Sequence, residues 1–402
     1  MTPDRRALLA NSLYHLSNDG SVTVMAGQIT VLQAVFRFGP LEIGLLAGAA
    51  LLVEAVFQIL FGAMSDRRDP ARFLPIGIFV LGFGSLLIAT SSTFVMLLAL
   101  TAASRIGASF YHPVGIAWIG REFGGEALDH SMGFQSAFGD SGVILGMASG
   151  AVLGAALGWQ YPFVAWGLIS LVAVALGWWL VRHRPRLPPV PAASRADYVA
   201  MLKDVRLWIL PLALSGAAYN IFSNFGPPLL HEKFGLADDA SGVGIAIWIL
   251  TGTVATFFFG RVSARFGRFR SLAASFALTA VGALVGAVLT HVGIVLAAFW
   301  SLGAALFLVY PALFAFVSET SHVRLQGAAF GLMFGVQILG GAAGLFAAGF
   351  LAEILGATTD LRASIPFYAV AVVSLTAFVY LVAARPRIAN GRRPIPAVAP
   401  PV

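Results

Sequence analysis

Twelve apolar runs follow one another along this chain, each about 20 residues or longer, with only short polar breaks between them. No other feature limits the fold so tightly. A run of that length is what a helix needs to cross a hydrocarbon layer about 30 Å thick. The runs lie at 7–36, 41–64, 73–90, 94–119, 131–157 and 159–182, then at 206–231, 241–260, 270–290, 293–318, 325–350 and 365–385. Only 11% of the residues are charged and 58% are hydrophobic. A soluble protein of this size could not cover its surface with so few charges. The expected product is a polytopic, all-α membrane protein in contact with membrane lipids.

The second constraint is a repeat. Gly62 to Arg72 reads GAMSDRRDPAR, and Gly260 to Arg270 reads GRVSARFGRFR. At one constant offset Gly62 pairs with Gly260, Arg67 with Arg265, His112-Pro113 with Tyr310-Pro311, Gly133 with Gly331, Gly142 with Gly340 and Gly146 with Gly344. Parallel repeats of membrane spans are a transporter architecture. The chain therefore divides into a six-helix bundle over 1–182, a Pro-rich basic linker over 183–205, a second six-helix bundle over 206–385 and a tail over 386–402 expected to be disordered.

The net charge of +7 does not point to nucleic acid, because the arginines sit in short loops between spans. With the N-terminus inside, every one of the 25 Lys and Arg falls on the inner side except Arg37, Lys233 and Arg362 outside and Arg105 within a span. That bias predicts both termini in the cytoplasm of a bacterial inner membrane. There is no Cys, which excludes disulfides, thiolate metal sites and a cysteine nucleophile. No cleavable signal peptide is expected, since the apolar run after Arg6 is too long for one. HExxH, GxSxG and GxxxxGKS/T patterns are absent, so an intramembrane enzyme and an ATP-driven pump are both disfavoured. No metal or other cofactor is expected.

Twelve spans in two repeats, with the GxxxDR-type loop after spans 2 and 8, resemble the major facilitator superfamily over roughly residues 7–385. The resemblance implies two pseudo-symmetric six-helix bundles that alternate access to a central site, usually as a monomer. In the family this loop braces the two halves. Gly62, Asp66, Arg67 and Arg72 match it in the first copy, with one extra residue before Arg72. Gly260 and Arg265 match in the second copy, where Ala264 replaces the acid. Within the superfamily the chain is most similar to fosmidomycin-resistance-type drug exporters. HLSND at His15 to Asp19, FYHP at Phe110 to Pro113 and SMGFQSAFGDSG at Ser131 to Gly142 carry that likeness. Val114-Gly115 stands where the family often has an acid, and the Gly-Pro of the antiporter motif is missing from span 5.

The ionisable residues inside spans are few, and each is costly enough to ask for a reason. Asp19, Glu54, Arg105 and Asp140 all lie about 14–21 Å along their helices from the inner end, counted at 1.5 Å per residue. All four belong to the first half. Asp19 is the expected protonation site of a proton antiporter, with Arg105 as its charge partner or as that of an anionic substrate. A fixed structural ion pair is the alternative. His15, one turn from Asp19, and His112 could extend the proton path, and Glu54 and Asp140 are further proton-coupling candidates. Asn18, Gln28, His112, Gln135, Tyr219, Asn220, Asn224, Tyr310 and Gln337 are candidates for binding substrate, and interhelical hydrogen bonding is the alternative for each. Gly142 and Gly146 belong to a stripe of glycines at every fourth residue of span 5, which permits either static close packing or sliding. The tryptophans at Trp118, Trp159, Trp178, Trp179 and Trp208 are assigned to the interfacial aromatic belt.

The expected function is therefore proton-coupled export of small drugs or of amphipathic or anionic metabolites. The competing reading is a proton-independent uniporter or a flippase for a lipid-like substrate.

Overall fold

The computed structural model describes residues 3–65, 68–187, 194–320 and 326–390, and among them there is no strand. The first half holds α1 (Pro3–Gly27), α2 (Ile29–Phe36), α3 (Pro40–Ser65), α4 (Pro70–Ile88), α5 (Phe94–Ala108), α6 (Tyr111–Glu122), α7 (Gly125–Leu157) and α8 (Gln160–Val181). The second holds α9 (Arg195–Pro228), α10 (Asp238–Phe257), α11 (Phe259–Phe266), α12 (Arg268–Val288), α13 (Val292–Ser301), α14 (Val309–Thr320), α15 (Gln326–Leu355) and α16 (Thr359–Asn390). Within the described residues, 11 helical segments are long and apolar enough to cross a membrane. The missing member of the expected twelve is α1, whose composition is too polar. It can be polar because from Ala7 to Gly27 none of its residues is exposed. Its neighbours, not lipid, meet its side chains.

The breaks within spans have local causes. Pro113 has no N–H to bond the Ser109 carbonyl, and span 4 is interrupted between Ala108 and Tyr111. Pro311 occupies the matching position of span 10, and there the tight turn Gly303–Leu308 separates α13 from α14. The same residue thus breaks the same span in both repeats. Span 1 divides at Gln28, which the sequence does not signal.

The linker and tail differ from expectation at their edges. Helix α9 starts at Arg195, so residues 195–205 are helical. Ser194 and Asp197 form a reciprocal cap there: the Asp197 N–H donates to Ser194 Oγ at 3.2 Å, and the Ser194 N–H donates to Asp197 Oδ2 at 2.8 Å. Helix α16 runs through residues 386–390 of the expected tail. The rest of the tail, 391–402, lies outside the described residues.

Packing follows the repeat. Within the first half α7 lies along α1, and Gly142, Gly146 and Gly150 meet the carbonyls of Leu16, Gly20 and Val24 so closely that no Cβ fits. The stripe therefore packs inside one half and does not form the surface between halves. In the second half α15 lies along α9 in the same way, with Gly340 against Ala213 and Gly344 against Ala217. The halves meet through α3 with α15 and α7 with α10. The repeat offset turns α3 into α10 and α7 into α15, so the two contacts are one interface used twice. Gly44 against Leu345, Gly48 against Phe346, Gly349 against Pro40 and Gly242 against Gly27 all lie toward the end remote from the GAMSDRRDPAR loop. There Gln33 Nε2 also donates to Glu232 Oε1 across the halves, at 3.2 Å.

Trp118, Trp159 and Trp208 are not belt residues: all three are buried in helix packing. Trp178 and Trp179 are exposed, as the belt requires.

Candidate functional site

Helix α1 sets Asn11, His15 and Asp19 at i, i+4 and i+8, hence on one face. That face meets the start of α6, where the Pro113 break delivers Tyr111 and His112, and the Gln135 turn of α7. His15 Nε2 lies 3.1 Å from Asp19 Oδ2, and His15 Nδ1 lies 2.8 Å from the Gln135 carbonyl. Both ring nitrogens thus face acceptors. The two bonds can be made together only when the pair holds two protons, one on Nδ1 and one between Nε2 and the Asp19 carboxylate. The ring is stacked on Tyr111 at 4.1 Å between centroids. His112 Nε2 approaches the other oxygen of Asp19 to 3.9 Å, and Asn18 Nδ2 donates to that same oxygen at 2.9 Å.

Tyr111, Asn11 and Gly139 hold these groups in place. The Tyr111 hydroxyl lies 2.8 Å from both Asn11 Oδ1 and Gln135 Oε1, and its single proton can go to either. Asn11 Nδ2 in turn donates to the Gly115 carbonyl at 2.9 Å. Gly139 has the His15 ring where a Cβ would stand, so any larger residue there displaces the imidazole. His112 reaches out of this half: its ring stacks on Phe334 of α15 at 5.2 Å. The titratable cluster therefore touches the other half directly.

Arg105 is not the partner of Asp19. Its Nη1 donates to Glu54 Oε2 at 2.9 Å and its Nη2 to the Val22 carbonyl at 2.9 Å. The reason is positional: α5 packs on α3, which presents Glu54, and α1 offers only a backbone oxygen at Val22. Glu54 is thereby tied up as well. Asp140 sits one residue past Gly139, half-buried and within electrostatic range of Asp19 and His15.

Of the substrate candidates, Asn18, His112 and Gln135 join the Asp19 cluster. Tyr219 lies across the interface, within electrostatic range of Asp19 and Asp140. It packs among Trp248 and Phe307, each 5.8 Å away, and Tyr310 at 6.3 Å. Gln337 is part of α15, on the turn that touches Gly216. Three further candidates also lie outside the cluster. Gln28 is fully buried between α1 and α7 against Gly154. Asn220 and Asn224 donate their amide N–H groups back to Gly216 and Asn220 carbonyls of their own helix, both at 2.9 Å.

The loop residues divide. Asp66 and Arg67 lie outside the described residues. Gly62 packs toward Pro113, with 3.3 Å for a Cβ. Arg72 is a partly exposed partner of Asp69 at 3.8 Å. Gly260 and Arg265 are exposed on α11. The sequence reading missed a buried network beside this loop. Arg184, just past α8, is bonded through two nitrogens to Glu122 at the end of α6, and its Nη1 lies 4.0 Å from Asp69. Asp69-Pro70 was a legible helix start, with the acid before a proline at the first helical position. Asn11 and Tyr111 were also missed, although Asn11 continues the i, i+4 row of His15 and Asp19.

Comparison with known proteins agrees with this architecture. The sequence model of the Major Facilitator Superfamily matches residues 12–251 and again 214–400. A probable L-galactonate transporter of Escherichia coli (strain K12) is 25% identical over 52% of this chain and 51% of its own length. The fosmidomycin resistance protein of the same organism is 25% identical over 64% of this chain and 65% of its own length. The chain thus spans less than two thirds of either relative. A solved bacterial homolog of the human lysosomal transporter Spinster, inward-facing and occupied, superposes with a TM-score of 0.82 at 15% identity, covering 98% of this chain and 99% of that one. At that identity the likeness is one of fold.

Proposed function

The chain belongs to the Major Facilitator Superfamily and is a membrane transporter of that type, and on that premise we propose that it exchanges protons for small amphipathic compounds, moving them out of the cell. The observation that carries the reading is the His15–Asp19–His112 group. Asp19 and His15 hold a proton between them, since one of the two His15 bonds fails when that proton leaves. His112 links the group to Phe334 of the opposite half, so loading or losing the proton changes a contact between the bundles. Alternating access then follows from rocking the halves about the α3–α15 and α7–α10 surfaces. The close glycine contacts between the halves lie toward the end remote from the arginine-rich loop. We assign that end to the outer face of a bacterial inner membrane, with both termini in the cytoplasm, as the distribution of arginine favours. The protein works as a monomer with the proton as coupling ion. Resemblance to fosmidomycin-resistance-type exporters, and a relative of that name, favour outward drug transport.

The test is proton flux in energised inverted vesicles. Addition of a transported compound releases protons from the vesicle lumen and dequenches a pH dye. Labelled compound that moves with no proton movement would replace this reading with a uniporter or flippase.

A further inference from the structure

Among the described residues, the fixed cation nearest the Asp19 cluster in the first half is Arg105, and it is committed. Arg105 is held by Glu54 and by the Val22 carbonyl, at 8% exposure. His15 is held by Asp19 and the Gln135 carbonyl, and His112 is placed between Asp19 and the ring of Phe334. The uncommitted groups are acceptors. The Asp140 carboxylate makes no hydrogen bond or ion pair with any described residue. Asn18, 1% exposed, gives its N–H to Asp19 and leaves its carbonyl oxygen without a donor.

Asp140 also points the right way. Ala151 lies about three turns further along the same face of α7, and Ala151 packs on Gly242 of α10, in the other half. Asp140 is therefore on the side of α7 that faces the second bundle. In that second bundle, within electrostatic range of Asp140, is Tyr219, itself among Trp248, Phe307 and Tyr310.

Building on the transport reading above, we infer that the compound carried has a basic nitrogen on an aromatic body. Its ammonium group pairs with Asp140, and its ring lies against Tyr219. A cation gains a charge-assisted hydrogen bond to the carboxylate and the attraction of the ring faces. An anion entering the same space meets Asp140 and Asp19, and among the described residues of the Asp19 cluster no uncommitted cation offsets them. The anionic substrates that Arg105 suggested are thereby disfavoured.

Three probes of one shape test this on the purified full-length protein in detergent at pH 7: 4-phenylbenzylamine, 4-phenylbenzyl alcohol and biphenyl-4-carboxylate. Affinity is read by calorimetry. The amine is expected to bind at least about tenfold more tightly than the carboxylate. Asp140→Asn lowers the amine to the affinity of the alcohol, and Asp140→Glu restores most of the difference. Unchanged alcohol binding shows that the Asn variant is folded. Carboxylate binding as tight as amine binding, an Asp140→Asn variant that keeps full amine affinity, or no amine binding by the wild type would each overturn the inference. The readout needs no proton gradient. A proton-independent transporter of amines passes it, and a proton antiporter of anions fails it.

Discussion

Arg105 Nη1 and Glu54 Oε2 are 2.9 Å apart, and their side chains are 10% and 7% exposed. This is a buried ion pair within one half, and its worth is asymmetric. Removing one partner strands the other charge in the membrane interior, at about 3–5 kcal/mol, whereas removing both together costs far less. Glu54→Gln and Arg105→Gln are each expected to lower thermal stability in detergent strongly, and the double variant to recover most of the loss. A double variant that is worse than either single one would show that the pair does more than neutralise itself.

The α1–α7 seam makes a second prediction. Gly146 has no room for a Cβ against Gly20 and Thr23 of α1, while a Cβ on Gly335 would stand 3.7 Å from Ile59, an ordinary contact. Gly146→Val forces the helices apart and should cost about 1–3 kcal/mol or more, seen as a fall of several degrees in melting temperature with loss of transport. Gly335→Ala should be silent in both assays. Equal damage from both would mean that close approach at Gly146 is not what the glycine stripe supplies.

Arg184 supplies a third. It ties Glu122 and Asp69 together at the loop end of the first half. Arg184→Gln leaves the buried Glu122 without its bidentate partner. The expected result is a loss of about 2–4 kcal/mol in stability, and faster proteolysis at the loop beside Asp69. Glu122→Gln in the same background should return part of that stability, because the stranded charge is gone. No recovery in the double variant would contradict the pairing.

The fold was legible because span length and repeat offset are one-dimensional signals. Eleven spans follow from them, and Pro113 marks its own break because a proline lacks the N–H that the Ser109 carbonyl needs; the break before Pro311 was not anticipated. The His15–Asp19 contact was equally legible, since i and i+4 on a helix are neighbours. The partner of Arg105 was not. Depth along a helix places Asp19, Glu54 and Arg105 at a common level but does not say which face each presents. That is decided by α5 packing on α3. The same limit hid the roles of Asn220 and Asn224, whose amides turn back on their own helix, and of Gly142, whose stripe faces α1. The Trp118 belt assignment failed for a related reason: nearness to a span end does not distinguish lipid from a neighbouring helix.

The central claim is that Asp19, clasped by His15 and His112, carries the proton that drives transport. The most direct measurement is a paired assay in proteoliposomes of wild type and Asp19→Asn, comparing uptake driven by a pH gradient with exchange of labelled for unlabelled substrate at equal pH. The account predicts that the variant loses gradient-driven uptake, by about tenfold or more, and retains equal-pH exchange, because the halves can still alternate around bound substrate. Gradient-driven uptake that survives in Asp19→Asn at the wild-type level would contradict it.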